Sequence, residues 1–450
     1  MSRTDHSLSL AGPHYLSGMR PPLAIGLSAL GAGLMVLAFF GFGREHPALW
    51  LSASLGSLAL AALFFMRAQY AGKVAGIKNN GVWHLGISAR GAIAWALGLV
   101  FTGFYVCLYW FPAAIEGMVR LFDPLSMMLR GKPADQWFTY GSFYTFAVLT
   151  MGVKFIAKYR HNPYQVIRTC SVMVVQLGFA FLLPAFMALM SQPEFYFSYF
   201  WPLDYDALFP GTIASLSTTS LGMWALIIGA TMTFVATPVL TYFFGKRWYC
   251  SWVCGCGGLA ETAGDPFRQL SDKSLSAWKI ERWMIHTVLV LITLLTALLW
   301  INSYAQGAWL GEFSQGYAKA YGFVIGSAFS GVIGVGFYPI MGSRVWCRFG
   351  CPMAAYLGLL QKYFSRFRIT TNGGQCISCG NCSTYCEMGI DVRSYAQKGQ
   401  NIVRASCVGC GICAAVCPRG VLRLENGKVQ GRVSADPIII GNDGARLADR

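Results

Sequence analysis

Charged side chains are scarce in this sequence, and acidic ones are the scarcest. Only 12% of its 450 residues are Asp, Glu, Lys or Arg, whereas 55% are hydrophobic and the mean hydropathy is +0.48. A soluble domain carries about 25% charged residues. The 19 acidic residues face 35 basic ones, for a formal net charge of +16. This composition excludes a disordered chain, a coiled coil and an ordinary soluble enzyme, and it predicts a membrane protein.

Histidine is also rare, and the apolar stretches hold almost no ionisable side chains. The chain has six histidines, and its long apolar stretches contain only Lys154 and His286 as basic residues and no acidic ones. Transporters and pumps usually need carboxylates or histidines inside the bilayer, and a haem with two axial histidines would need a pair of them. The sequence therefore argues against a transporter, a pump and a protein with a transmembrane haem. We expect His286 to be structural, with a hydrogen bond to a quinone carbonyl as the alternative.

Eight apolar stretches are long enough to cross a bilayer, which takes roughly 20 residues. They lie near 23–42, 48–66, 92–114, 138–157, 169–190, 221–244, 283–302 and 322–341. The first stretch is as long as a full span, so we expect no cleavable signal peptide. The predicted fold is an all-α polytopic membrane protein with about eight transmembrane helices, followed by a small α+β domain.

The loops between these stretches alternate in charge. Segments 67–90, 154–168 and 245–282 are basic, whereas 191–220 has three acidic residues and no basic one. The positive-inside rule places the basic loops, and hence both termini, in the cytoplasm of a bacterial inner membrane protein. We expect the loop cations, such as Arg268, to face lipid head groups.

The acidic outer loop contains an aromatic segment, residues 195–210, in which half of the side chains are aromatic. Aromatic residues are enriched where a membrane protein meets the bilayer interface. We therefore interpret this segment as an interfacial belt, with a docking surface or the rim of a quinone pocket as the alternative.

Thirteen of the 15 cysteines follow residue 249, and eight of these form an internal repeat. Residues 376–386 and 407–417 share the spacing Cys-x2-Cys-x2-Cys-x3-Cys at an offset of 31 residues. This is the spacing of bacterial two-cluster ferredoxins, in which the fourth cysteine serves the other cluster. The predicted ligands are Cys376, Cys379, Cys382 and Cys417 for one [4Fe-4S] cluster, and Cys407, Cys410, Cys413 and Cys386 for the second. Zinc is the alternative, but four-thiolate zinc sites usually combine CxxC pairs.

The predicted ferredoxin domain covers residues 361–430 and is followed by a tail, 431–450. Its segment 362–428 has nine Lys and Arg against three acidic residues. This excess of positive charge reflects either the preference of cytoplasmic segments for basic residues or a surface that binds an acidic partner or anionic lipid. One acidic residue, Glu387, stands where a proline often follows the fourth cysteine, and it is expected to loosen or retune one cluster.

A second cysteine repeat lies within residues 221–360, where one copy follows the sixth predicted span and the other follows the eighth. Residues 1–220 contain the earlier spans. The copies of the repeat are Arg247-Trp248-Tyr249-Cys250-x3-Cys254, with Cys256 close behind, and Arg344-Val345-Trp346-Cys347-x3-Cys351-Pro352. An i, i+4 spacing predicts that both sulfurs of each pair lie on one helix face. The four thiolates would then converge on iron or an iron–sulfur cluster. The spacing does not decide between Cys254 and Cys256.

Each motif also begins with an arginine, Arg247 or Arg344, which would offset thiolate charge and tune the site. The alternatives for these membrane-edge cysteines are thiol–disulfide chemistry and a structural role. Two further cysteines, Cys107 and Cys170, are isolated within spans and are expected to be packing residues.

The two membrane-edge motifs followed by a two-cluster ferredoxin resemble the membrane-bound polyferredoxins of the NapH and NosR type, over about residues 220–430. The resemblance implies electron transfer between a quinone pool, iron–sulfur centres on the cytoplasmic side and a partner protein complex. One departure is Gly255, which replaces the proline that the family places after the second cysteine. The CcoG-type oxidase-assembly family is similar in its ferredoxin but carries a sizeable domain after it, so we consider it less similar.

We therefore expect a membrane electron-transfer subunit that joins a quinone or membrane partner to partner oxidoreductase subunits. The sequence shows no substrate pocket and no nucleic-acid surface. Two alternatives remain. One is a maturation factor that reduces a metal or thiol during assembly of another respiratory enzyme, and the other is an anchor subunit that docks a catalytic partner.

Overall fold

The computed structural model describes residues 22–70, 90–426, 438–441 and 444–447, and these residues are mostly helical. Within them, eight helical elements have at least 18 residues. They are α1 Pro22–Phe39, α2 Pro47–Tyr70, α3 Ala92–Trp110, α4 Gln136–Tyr159, α5 Pro163–Leu189, α6 Ser220–Phe244, α7 Leu275–Tyr304 and α8, residues 313–333. π-Helical turns interrupt α5, α6 and α8 at Val175–Leu182, Met232–Ala236 and Gly322–Ile333.

Six of these helices, α1, α2, α3, α5, α6 and α7, are long and apolar enough to cross a membrane. Only 17–28% of the residues in their most apolar windows are buried, so large apolar side chains such as Leu99 and Val174 face outward. A lipid environment is the solvent that matches such a surface. The other two predicted spans, 138–157 and 322–341, overlap α4 and α8.

Four of the long helices, α4 to α7, begin after residues whose side chains cap them. Asp135 precedes α4 and its Oδ1 accepts the Phe138 N–H at 2.7 Å, while Ser274 caps α7 in the same way. α5 begins with Pro163, whose missing N–H costs nothing at the first helical position. Only residues 160–162 separate α4 from α5, so the two helices run antiparallel.

One end of the bundle carries the C-terminal domain, and we call it the domain end. Here Arg160, just after α4, donates to the Tyr70 carbonyl at the end of α2 (2.9 Å). Gln165, in the first turn of α5, donates to the Cys410 carbonyl of the domain (2.8 Å). The basic loop 67–90 leaves from this end, although its residues 71–89 lie outside the described part of the chain, as do residues 1–21.

Short helices connect the long ones. Before α4 and α6 they are Pro112–Ile115, Glu116–Arg120, Asp123–Arg130 and Pro210–Leu216. At the domain end they are Arg247–Cys250, Gly255–Glu261, Asp265–Leu270, Tyr338–Met341, Val345–Phe349 and Pro352–Tyr363. The membrane-edge cysteines all lie in or beside this second group.

The C-terminal domain is built on two antiparallel strands, β1 Phe367–Thr371 and β2 Leu422–Asn426, with Phe367 opposite Asn426. The short helices between them are Gly373–Gln375, Asn381–Thr384, Val392–Gln397 and Ile412–Ala415. A second antiparallel pair, β3 Ile438–Gly441 and β4 Gly444–Leu447, lies within the predicted tail. The structure therefore has the small α+β region that the sequence predicts.

The aromatic segment enters the bundle. Tyr249 donates its hydroxyl to the Ser198 carbonyl at 2.7 Å. Trp201 donates its indole N–H to the Thr296 hydroxyl, well inside α7, at 3.2 Å. Phe200 is 2% exposed and packs edge-on against Tyr249. The interfacial-belt interpretation is therefore wrong for Phe200, which is buried between the helices, while Trp201 is partly buried there.

Candidate functional site

The first predicted cluster corresponds to a single small cavity in the ferredoxin domain. Its walls include Cys376, Cys379, Cys382 and Cys417. Gly380 has φ = +81°, a left-handed conformation that glycine adopts without strain, and it starts the helix that carries Cys382. The structure thus brings together the four cysteines that the spacing predicts as one ligand set.

The second predicted set surrounds a separate small cavity. Its walls include Cys386, Cys407, Cys410 and Cys413. Gly409 has φ = +64°, and a Cβ built there would lie 2.6 Å from the Cβ of Arg247. Arg247 stacks over Phe367 at 4.6 Å, so this arginine packs against the ferredoxin domain. The Ile390 N–H points at the Cys386 sulfur (3.4 Å), which favours a thiolate.

Each cavity offers four cysteine thiols around an enclosed space, and four thiols are the protein ligands of a [4Fe-4S] cluster. Burial, together with repulsion from the neighbouring cysteines at Cys382 and from Glu387 at Cys410, raises the pKa of both thiols to about 12. Four such groups ionise together only beside a strongly positive centre. The donor sets therefore fit iron–sulfur clusters better than free thiols.

The membrane-edge motifs bring four further cysteines into one buried core. These are Cys250, Cys254, Cys347 and Cys351, each 5–6% exposed. Burial, followed by repulsion from Cys347, Cys254 and Cys250, raises the pKa of Cys351, so all four groups lie within electrostatic reach of one another.

The two cysteines of each membrane-edge pair do not share a helix, so that prediction is wrong. Cys250 ends one short helix, and Cys254 precedes the next. In the second copy, Cys351 caps the helix Pro352–Tyr363 and its sulfur accepts the Ala354 N–H at 3.4 Å. Pro352 starts this helix because its ring fixes φ at a helical value. Each pair therefore spans a break between two helices.

Cys254 takes the buried position, whereas Cys256 is only partly buried. A hydrogen bond from Cys256 lowers the pKa of Cys254 to about 7 against the effect of burial. Between them, Gly255 lets two polar side chains approach the backbone closely. A Cβ at this position would lie 2.5 Å from Tyr199 Oη and 2.9 Å from Gln176 Oε1, which is too close for either to stay in place. The glycine that departs from the family pattern therefore allows tight packing beside the buried cysteines.

Two buried cations accompany this group. Arg344 Nη1 lies 3.6 Å from Cys347 Sγ and 3.3 Å from the Cys250 carbonyl, so it touches both motifs. Lys246 is fully buried and donates to the Ala405 carbonyl of the ferredoxin domain at 3.1 Å. Cations buried in this way match a site that carries net negative charge.

Glu387 lies in a buried ion-pair network between the two cysteine regions. Its carboxylate forms ion pairs with Arg268, at 2.8 Å from Nη1, and with Arg344, at 3.0 Å from Nη2. Burial would raise its pKa, but these arginines hold it below the usual value. Arg344 also pairs with Glu261 at 2.6 Å. Arg268 is 1% exposed, so the expectation that it faces lipid head groups is wrong.

Asp265 continues the network toward α4. It accepts from Lys154 at 2.9 Å and from Lys158 at 2.6 Å, and all three side chains are nearly inaccessible. Burial would raise the pKa of Asp265, but the two lysines and Arg268 hold it far below the usual value. Lys154, which the sequence places at the end of a span, therefore binds a carboxylate inside the protein. In the sequence, the one indication of this network is Glu387, which occupies a position where proline is common.

Two larger cavities open beside the membrane-edge cysteines. The bundle cavity, about 650 Å³, has Tyr144, Gln176, Tyr199 and Cys256 in its walls. The basic cavity, about 900 Å³, reaches Cys347 from the other side. His286 lines the basic cavity, and its Nδ1 lies 2.6 Å from the Arg282 carbonyl of its own helix.

Two regions of the chain match families of iron–sulfur domains. Residues 375–422 match a 4Fe-4S dicluster domain, and residues 223–274 and 323–371 match a 4Fe-4S binding domain. The first match contains both ferredoxin sets. The two parts of the second each contain one membrane-edge motif.

Curated relatives share part of this sequence. The chain is 26% identical over 186 residues to YccM of Escherichia coli, which is named for electron transport. It is 28% identical over 184 residues to the methylamine utilization ferredoxin-type protein MauN of Methylobacillus flagellatus. The alignments cover 39% and 40% of this chain, and 51% and 58% of those relatives. No solved structure matches the chain.

These matches coincide with the parts of the structure that hold the three cysteine groups. The chain thus combines ferredoxin-type 4Fe-4S domains with helices able to cross a membrane, an arrangement consistent with a membrane polyferredoxin.

Proposed function

We propose that this protein relays electrons between a quinone pool, or a membrane partner, and a partner oxidoreductase. The observation that carries the proposal is a single buried core shared by the membrane-edge and ferredoxin cysteines. That core includes Cys250, Cys254, Cys347, Cys351, Cys382, Cys407 and Cys413. Iron–sulfur clusters bound to these cysteines would supply one-electron redox chemistry.

The polypeptide gives the cysteine groups a fixed mutual position. Arg344 contacts the Cys347 sulfur and also binds Glu387, which directly follows Cys386. Ser251, next to Cys250, donates its hydroxyl to the Val408 carbonyl beside Cys407 at 2.8 Å. Two independent contacts thus join the membrane-edge site to the second ferredoxin set, as a rigid relay requires.

We assign the third centre to Cys250, Cys254, Cys347 and Cys351, and leave Cys256 outside it. Lys246 and Arg344 would offset the negative charge of four thiolates. Because the four thiols are 5–6% exposed, another protein cannot reach them for disulfide exchange. This burial weighs against a maturation factor that reduces thiols on a client.

The bundle cavity is the proposed quinone site. Three buried polar atoms in its walls lack a hydrogen-bond partner within the described chain: Tyr144 Oη, Gln176 Oε1 and Tyr321 Oη. Such atoms favour a ligand that supplies both donors and acceptors, as a quinol or quinone does. Cys256 lies in the same wall, next to Cys254, so a bound quinone would approach the third centre.

We further propose that α4 and α8 also cross the membrane, which gives eight spans with both termini in the cytoplasm. Three basic loops of the sequence leave from the domain end; one contact there joins Arg90 to the Leu270 carbonyl (2.7 Å). The positive-inside rule then places the ferredoxin domain in the cytoplasm. The proposed units remain residues 1–220, 221–360, 361–430 and 431–450.

Metal analysis of the anaerobically purified chain tests the third centre. We expect about 12 irons per chain, and about eight in Cys351→Ala, because each [4Fe-4S] cluster carries four. Cys107→Ala is the matched control, since Cys107 lies within α3, away from both cysteine regions, and should leave the iron count unchanged. About eight irons in both the parent chain and Cys351→Ala would remove the third centre from the proposal.

A further inference from the structure

The basic cavity lies where α7, the helix Pro352–Tyr363 and the ferredoxin domain meet, and the proposed relay does not use it. Four cationic residues line it, Lys279, Arg282, Lys362 and Arg404, together with Lys246, whose ammonium is buried against the Ala405 carbonyl. The one carboxylate among its described wall residues is Glu281, which already pairs with Arg348 at 3.0 Å. The cavity therefore presents an excess of positive charge to its interior.

Two of these cations are held against one aromatic ring. The Arg282 guanidinium lies 4.9 Å from the Trp278 ring centroid, and the Arg404 guanidinium lies 5.0 Å from it. Arg282 belongs to α7, whereas Arg404 belongs to the ferredoxin domain. Stacking on an indole restrains a guanidinium while its N–H donors stay available in the plane of the group. Trp278 thus holds one phosphate-binding group from each part of the protein against the same ring.

The α7 wall changes from charged to apolar along the helix. Charged residues end at Arg282, and the wall continues with Ile285, Val290 and Leu291. At 1.5 Å per residue, the distance from Arg282 to Leu291 is about 13 Å. Val290 is 54% exposed, so an apolar surface continues outward from the cavity. A ligand that fits both halves has an anionic head and a hydrocarbon tail.

We propose that the basic cavity binds an anionic phospholipid. Its phosphate lies between Arg282 and Arg404, and one acyl chain follows α7 past Ile285 toward Leu291. A quinone head group is neutral and leaves the cations unmatched, while a soluble anion leaves the apolar wall unmatched. The lipid joins α7 to the ferredoxin domain and thereby fixes the domain on the membrane surface. Basic pockets beside transmembrane helices bind anionic lipid head groups in this way.

Native mass spectrometry of the full chain in detergent tests this site, with added phosphatidylglycerol, phosphatidylcholine or inorganic phosphate. We expect phosphatidylglycerol to bind one high-affinity site and the other two ligands to bind far more weakly. The double variant Arg282→Gln/Arg404→Gln should weaken phosphatidylglycerol binding roughly 30-fold, about fivefold for each cation removed. The single variant Lys362→Gln, on an exposed side chain, should weaken it roughly fivefold and serves if the double variant does not fold.

The matched control is Lys398→Gln/Arg423→Gln, which removes the same charge from exposed positions of the same domain, outside the cavity. This variant should bind phosphatidylglycerol like the parent chain. An equal loss in the control would show that the attraction is diffuse and would overturn the site. Equal affinity for phosphatidylcholine, or displacement of the lipid by inorganic phosphate at a similar concentration, would overturn the anionic-lipid assignment.

Discussion

The ferredoxin cysteines and the membrane-edge cysteines form similar groups of four by different means. Each ferredoxin run fits within 11 residues, and its cavity is closed by local turns at glycines such as Gly380 and Gly409. The membrane-edge group joins Cys250 to Cys347 from separate parts of the chain, each following a long helix. Local spacing therefore forms the first kind of site, whereas helix packing and buried ion pairs form the second.

This difference predicts that the two kinds of site are disrupted by substitutions at different residues. A ferredoxin site should depend mainly on the two short cysteine runs of its own domain. The membrane-edge site should also depend on residues such as Arg344 and Glu387, which hold its two halves against the domain. The experiments below separate the two kinds of dependence.

Removing one cysteine should have the largest effect, and the effect should stay within its own group. We expect Cys413→Ala to lose about four of about 12 irons while the EPR signal of the membrane-edge centre persists. Cys351→Ala should show the reverse pattern. Loss of all three centres in either variant would contradict the separation of the groups.

Glu387→Ala should be the most damaging change outside the cysteines. It leaves the buried charges of Arg268 and Arg344 without their shared carboxylate, which costs about 3–5 kcal/mol of stability. Thermal unfolding in detergent measures this loss, with Glu312→Ala as the control at an exposed carboxylate. We expect Glu387→Ala to reduce iron at the membrane-edge site as well as stability. An unfolding midpoint equal to that of the control would contradict the proposed role.

Gly255→Ala should damage the bundle cavity without removing a thiol. Its new Cβ would meet Tyr199 Oη and Gln176 Oε1, and such overpacking costs about 1–3 kcal/mol. We expect the apparent affinity for a quinol analogue to fall roughly tenfold while the iron count stays constant. Gly33→Ala is the matched control, because a Cβ at that position meets nothing within 4 Å. Equal affinity in the two variants would argue against the bundle cavity as the quinone site.

The smallest expected effect is a pH dependence at Asp204, in the wall of the bundle cavity. Burial, with a hydrogen bond to Asp206, raises the Asp204 pKa to about 8. The carboxylate accepts a proton only when ionised, so quinol oxidation should accelerate as the pH rises through about 8. The other charged groups lining the cavity are Arg130, Lys132, Asp135 and Glu194.

The variant Asp204→Asn should remove this acceleration and leave the rate below pH 7 nearly unchanged. Rates measured from pH 6 to 9 with a quinol analogue check the prediction. The same acceleration in the parent chain and in Asp204→Asn would assign the titration to another group.

The sequence predicts the local features well. The ferredoxin spacing repeats in two short runs, and the sets that it predicts, Cys376 with Cys417 and Cys386 with Cys407, line separate cavities. Apolar runs of about 20 residues likewise identify the six helices that meet the length and hydropathy of a span. Both signals depend on residues close together in the chain.

The sequence fails where distant residues decide the structure. The i, i+4 spacing favours one helix for Cys347 and Cys351, but Pro352 starts a new helix there. The sequence predicts that Arg268 faces lipid head groups, because cationic side chains in a loop at the membrane edge usually do so. In the structure, Glu387 binds Arg268 inside the protein, although the two residues are more than 100 positions apart. No local pattern reveals such a partner, because buried ion pairs depend on tertiary packing.

Reduction of the ferredoxin clusters by a quinol tests the central claim most directly. The full chain, reconstituted anaerobically in vesicles, is mixed with a quinol analogue, and cluster reduction is followed by absorbance and EPR. The proposed relay predicts reduction in the parent chain and in Cys107→Ala, and a loss of at least 100-fold in Cys351→Ala, whose two ferredoxin clusters remain in place. Reduction of Cys351→Ala at the parent rate would show that electrons bypass the membrane-edge site, and would contradict the relay.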